Sequence, residues 1–273
     1  MFLASLPLAM SLKFSDDPYL TPAQRPSPVV DMETYRMARS LSNPRVPVTW
    51  LLLAANLAAA LVMTLHLGWA PDEGRMLDYL VAAGANRRAE ILGAREYWRL
   101  LASAFLHVGW LHLLLNLYAL KILGQLVENL FGPLRLWLLY LGGAVGGSLA
   151  SVLTTLATRP EMVSAGASGA IFGLLGAVLV FYLRCRERIP PALRKYFFQF
   201  FVVLALNIYL GMRIPVVDNS AHLGGLAGGA LFTLIMMRGR QAGLVTRKAG
   251  TILAWALAGL GLYPLFVMAS RWW

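Results

Sequence analysis

Seven apolar runs, each near the length needed to cross a bilayer, constrain this 273-residue chain more than any other feature. They lie at about 48–69, 105–127, 134–157, 168–184, 196–212, 220–237 and 250–270. A membrane-spanning helix takes about 20 residues, because hydrocarbon offers the backbone no hydrogen-bond partner and a helix satisfies every peptide group internally. The runs therefore predict an all-α membrane protein with seven transmembrane helices. Composition agrees: 58% of the residues are hydrophobic and 14% are charged, against about a quarter charged in soluble domains. The single cysteine, Cys185, excludes an internal disulfide framework.

The net charge of +11 raises nucleic-acid binding as a function class. Its distribution excludes that class. The basic residues fall in short clusters between apolar runs, as membrane topology requires, and the lipid bilayer with its anionic headgroups is their expected partner. With the N-terminus placed in the cytoplasm, fifteen basic residues from Lys13 to Lys248 lie inside, and only Arg159, Arg213 and Arg271 lie outside, the long segment 70–104 left aside. This positive-inside bias predicts an N-terminus in the cytoplasm and a C-terminus outside. Residues 1–12 lack a basic n-region and a small-residue cleavage site, so no cleaved signal peptide is expected. The chain then divides into a cytoplasmic N-terminal segment, 1–47, a six-helix core, 48–240, and an additional C-terminal transmembrane helix, 241–273. Segment 70–104 carries both signs of charge and is amphipathic over Met76–Ala83. It suits the membrane surface and is too polar to span.

In that orientation the second, fourth and sixth runs all start at the outer face. Their N-terminal ends carry His107, His112 and Asn116, then Ser168, then Asn219, Ser220 and His222, all at one depth. Strongly polar side chains inside a span are costly and usually face the bundle interior with a task to perform. The fourth run has a Gly169/Gly173 pair, and the sixth has Gly224/Gly228 and Gly225/Gly229. Such small-xxx-small patterns let helices pack closely. Close packing would bring Ser168 within reach of His222, and a histidine that takes the proton of a serine oxygen makes it a useful nucleophile. No carboxylate is placed to orient the ring. Asp218, one turn above, reads as an interfacial or capping residue, so the pattern is a dyad. The residues alone leave open a packing serine and a packing histidine.

His112 and Asn116 are four apart and share a helix face. With the Ser168 N–H, unpaired near a helix N-terminus, they are candidate donors to an oxyanion. Interhelical hydrogen-bond glue is the alternative. His107 and His112 lack the H-E-x-x-H pattern and no carboxylate shares their level, so no metal and no cofactor is expected. Lys121, in mid-run, is expected to snorkel inward on its long stem. The glycine run at 142–147 lies inside a span and reads as a packing seam.

From about Gly84 to Gly229 the chain resembles the rhomboid family of intramembrane serine proteases. The resemblance is carried by Glu96-Tyr97-Trp98-Arg99, by His107 through His112 to Asn116, by Glu128, by Gly166-Ala167-Ser168-Gly169 and by Ala221-His222-Leu223-Gly224-Gly225. It implies a rhomboid-like bundle of six helices plus one, with an active site in a water-filled cavity that opens outward and is gated beside the fifth helix. It implies that Ser168 is the nucleophile and His222 the general base, with His112, Asn116 and the Ser168 N–H holding the oxyanion. Gly166 would shape that loop, Trp98 and Arg99 would brace a membrane-dipping loop, Glu128 would join an inner hydrogen-bond network, and His107 would be structural. Phe172 stands where some members have a tyrosine stacked on the histidine; it keeps the ring and loses the hydroxyl. The implied activity is a serine endopeptidase that cuts transmembrane protein substrates through an acyl-enzyme. The expected compartment is a bacterial inner membrane, since no Arg- and Ser-rich presequence is present. A non-proteolytic scaffold or dislocation factor on the same fold is the alternative. A small-solute transporter would need inverted repeats and helices interrupted at mid-membrane, which the sequence lacks.

Overall fold

A computed structural model describes residues 41, 43–155, 162–214 and 217–238. Eight α-helices run through the described residues: α1 Pro47–Leu67, α2 Glu73–Ala83, α3 Arg99–Ala102, α4 Gly109–Phe131, α5 Pro133–Thr155, α6 Ser168–Cys185, α7 Pro191–Arg213 and α8 Asn219–Arg238. All but α2 and α3 are long and apolar enough to cross a membrane, which makes six candidate spans. They match the first six runs expected from the sequence. The seventh run, 250–270, and most of the N-terminal segment lie outside the described residues.

Three boundaries differ from the apolar pattern: α7 begins at Pro191, ahead of the run expected from 196, and both ends of α4 are displaced for a visible cause. The run starting at 105 enters its helix only at Gly109, whose φ of +81° breaks the chain away from the 3₁₀ turn Ser103–Phe105. Phe105, at the end of that turn, and Leu106, in the loop after it, are both buried. At the other end α4 continues past the apolar run through Glu128 to Phe131 and stops at Gly132, with φ +88°. Glu128 can sit inside because its carboxylate is hydrogen-bonded. Its carboxylate accepts the Val48 N–H at 3.2 Å, the Thr49 N–H at 2.9 Å and the Thr49 hydroxyl at 2.8 Å. Those amides belong to the first turn of α1, whose N-cap residue Val46 offers no side-chain cap. A carboxylate from α4 thus satisfies orphan donors of α1, and its negative charge complements that helix end.

Segment 70–104 folds as a brace. Asp72 caps α2 by accepting the Arg75 N–H at 2.9 Å. Gly84 closes it in the left-handed region, φ +109°, and the Trp98 ring lies so close that a Cβ at Gly84 would collide with it. The neighbouring Arg99 is buried. It donates to the Glu96 carboxylate at 2.6 Å and to the carbonyls of Val81 and Ala85, tying the segment across to the end of α2.

Three helices meet on glycine. α8 presents Gly225 and Gly229 to the carbonyls of Gly169 and Gly173 on α6, too close for any Cβ. Its other glycine pair turns to α5: Gly228 faces the carbonyl of Gly142, and Gly224 packs against Gly146. α5 closes the triangle, with Gly143 beside Gly173 and Gly147 beside Gly169. Helices without side chains at the contact can approach to backbone distance, gaining packing that lipid cannot supply. Trp137, Tyr140, Leu120 and Phe105 fill the core nearby. The face of α7 bearing Phe198, Val202, Leu206, Tyr209 and Met212 is exposed, as expected for a surface solvated by lipid. Lys121 reaches the ring of Trp50 near the start of α1, 3.7 Å from its centroid.

Candidate active site

The glycine contact places the site. Gly169 and Gly225 touch at the start of α6 and α8, so the residues just before them are carried together. Ser168 is the first residue of α6 and His222 lies in the first turn of α8. Ser168 Oγ and His222 Nε2 are 2.9 Å apart. Both residues are half-buried, so the pair is reachable from outside the bundle. Phe172, one turn further along α6, lies parallel to the His222 ring with centroids 4.2 Å apart.

Ser168 is held from behind by a loop with little freedom. Ser164 pairs with Asn86 through two backbone hydrogen bonds of 2.9 Å. Asn86 in turn donates its side-chain amide to the Ser148 carbonyl at 3.0 Å. The Gly166 N–H donates to the Ser103 carbonyl at 2.9 Å, and the Ser103 hydroxyl meets that of Ser148 at 3.2 Å. Gly166 has a φ of +143°, a region that favours glycine, and a Cβ there would lie 2.7 Å from the His112 ring. His112 is therefore packed against the turn that leads into Ser168. His107 stands behind it, ring edge to ring, centroids 5.2 Å apart, with Nε2 accepting the Ala167 N–H at 3.5 Å. Burial, reinforced by the neighbouring His112, holds His107 neutral and lowers its pKa to about 3.

Of the residues singled out from the sequence, the fold gathers Ser168, His222, His112, Gly166 and Phe172 into one cluster, with His107 behind it. Asn116 lies a turn below His112 and spends one amide hydrogen on its carbonyl, at 2.9 Å. Its second amide hydrogen is left for another acceptor. Trp98 and Arg99 brace segment 70–104, and Glu128 sits at the opposite end of α4. The serine and asparagine pins of the loop, Asn86, Ser103 and Ser148, went unread in the sequence. Ser148 carried the one available signal, a polar residue directly after a glycine run inside a span. Among the described residues no group of three or more His, Cys, Asp or Glu side chains could hold a metal ion.

A serine oxygen against a histidine nitrogen, at a helix N-terminus with a second histidine nearby, is an arrangement whose chemistry suits acyl transfer. The family model of the Rhomboid domain matches residues 94–239. Rhomboid protease GluP of Bacillus subtilis is 33% identical over 226 residues, which cover 83% of this chain and 42% of that protein. RHOMBOID-like protein 5 of Arabidopsis thaliana is 33% identical over 248 residues, covering 77% of this chain and 76% of that protein. Rhomboid-like protease 5 of Toxoplasma gondii is 37% identical over 180 residues, covering 63% of this chain and 20% of that much longer protein.

Proposed function

This chain belongs to the rhomboid family of multi-pass membrane proteins, and on that premise we propose that it is an intramembrane serine endopeptidase with Ser168 as nucleophile and His222 as general base. The observation that carries the reading is the 2.9 Å separation of Ser168 Oγ and His222 Nε2. In the reactive tautomer Nε2 is unprotonated and the ring hydrogen sits on Nδ1.

Ser168 Oγ attacks the carbonyl carbon of the scissile bond as its proton passes to His222 Nε2. The carbonyl π electrons move onto oxygen. That oxyanion meets His112, the Ser168 N–H and the remaining amide hydrogen of Asn116. Collapse of the intermediate breaks the C–N bond, and the imidazolium gives its proton to the leaving amine. Water then attacks the acyl-enzyme by the same route, with His222 again taking and returning the proton. The substrate is a transmembrane segment of another membrane protein, locally unwound, because a helical carbonyl is already engaged. The N-terminus lies in the cytoplasm, as the charge distribution implies, and the site opens to the opposite side. Placement in a bacterial cell membrane rests on the sequence reading, with relatives drawn from a bacterium, a plant and a parasite.

The test is cleavage of a transmembrane substrate by the full chain reconstituted in lipid vesicles. Ser168→Ala is expected to abolish product while leaving the melting temperature in place. Cleavage that survives the substitution assigns the chemistry to another residue and overturns the proposal.

A further inference from the structure

We propose that Asp218 is a positioning residue for His222, acting on the ring nitrogen opposite the one that faces Ser168. The inference rests on the serine–histidine reading above. Asp218 immediately precedes α8, and its Oδ1 accepts the Ala221 N–H at 3.0 Å, an N-cap bond. The cap fixes the carboxylate and uses one of its oxygens. The other, Oδ2, is buried and has no hydrogen-bond partner among the described residues. His222 Nδ1 is buried and unpartnered in the same way.

These two atoms complement each other. Asp218 precedes His222 by four residues, and its backbone carbonyl accepts the His222 N–H at 3.2 Å, which keeps the two residues one turn apart. An ionised carboxylate only accepts, and Nδ1 only donates in the tautomer that frees Nε2 for the Ser168 proton. Their complementary needs suit a direct bond or a single bridging water. The charges around His222 give the arrangement a purpose. The ring sits in the first turn of α8, where the helix dipole opposes a cation, and His112 on α4 adds a second titratable ring. Asp218 is the negative charge acting on His222 against these. It fixes the tautomer, holds the ring toward Ser168, and offsets the imidazolium formed during attack, taking no proton itself. The cap bond alone gave Asp218 a structural role; the unused oxygen gives it a second one.

The test uses the reconstituted full chain and three variants. Asp218→Asn and Asp218→Ser each retain an oxygen for the cap and remove the charge. Both are expected to keep the wild-type melting temperature and KM and to lose kcat by roughly ten- to a hundredfold, the range seen when an outer carboxylate that orients a metal-bound imidazole is removed, and short of the roughly 10⁴-fold loss for a carboxylate bonded directly to the ring. Wild-type kcat in both variants overturns the inference, as does a loss confined to KM. A fall in melting temperature that accounts for the lost kcat in both gives Asp218 a purely structural role and also overturns it. Ser168→Ala runs alongside. If it still cleaves, the dyad itself is wrong. If it is inert while the Asp218 variants turn over normally, only the positioning role fails.

Discussion

The ring of Phe172 lies flat against that of His222, with centroids 4.2 Å apart and planes 3° from parallel. The two residues sit on different helices, and only the glycine contact between α6 and α8 lets them stack. A phenyl ring needs no hydroxyl to hold an imidazole in plane, so the loss of the tyrosine oxygen at this position leaves the orienting surface intact.

Replacing Phe172 therefore separates orientation from packing. Phe172→Tyr is expected to keep kcat within about threefold, because the stack remains. Phe172→Leu fills much of the volume and removes the stack. An aromatic pair is worth about 0.5–1.5 kcal/mol beyond burial, so kcat is expected to fall by roughly two- to twelvefold with KM little changed. Steady-state cleavage kinetics on the reconstituted protein decide it, and equal kcat for the two variants would show that the ring orients nothing.

The glycine seam sets a second expectation. A Cβ at Gly225 or Gly229 would collide with the carbonyl of Gly169 or Gly173, which cannot move aside as a side chain can. Either alanine substitution is expected to destabilise by about 1–3 kcal/mol or more and to lower kcat, since α8 carries His222 away from Ser168. Gly93→Ala is the control, with nothing within 4 Å of its Cβ. Thermal melting in detergent should separate the seam variants from the control.

His112→Ala and Asn116→Ala should differ in severity. His112 packs against the turn into Ser168, whereas Asn116 already donates to the His112 carbonyl. Removing an oxyanion donor typically costs about a hundred- to a thousandfold in kcat. The His112 variant is expected in that range with KM nearly unchanged, and the Asn116 variant well short of it. A loss shared equally between kcat and KM would move His112 from transition-state stabilisation to substrate binding.

His107 makes stability depend on pH. In the unfolded chain a histidine takes a proton below about pH 6.5, but the buried ring stays neutral down to about pH 3. Acidification through that window favours the unfolded state, so stability falls as pH drops below about 6.5 and goes on falling toward 3. Melting temperatures at pH 7 and pH 4.5 should show the decline in the wild type. His107→Gln should make it shallower, and an unchanged slope would place the responsible group elsewhere.

Much of this was written in the sequence because lipid is a demanding solvent. It requires long apolar helices, so the six described spans, their order and close estimates of their ends follow from hydropathy alone. It penalises polar side chains, so Ser168, His112, Asn116 and His222 stand out, and it rewards glycine seams, so Gly169/Gly173 and Gly225/Gly229 mark a close helix contact. What the pattern could not decide is which polar atoms meet. Hydropathy ended the α4 run before Glu128, because whether a carboxylate enters a span depends on partners 79 and 80 residues away, Thr49 and Val48. It likewise left Asp218 as a cap, because an oxygen without a partner shows only once every neighbour is in place. Apolar burial is a property of local composition and is legible along the chain; hydrogen-bond pairing is a property of three-dimensional proximity, and tertiary structure alone settles it.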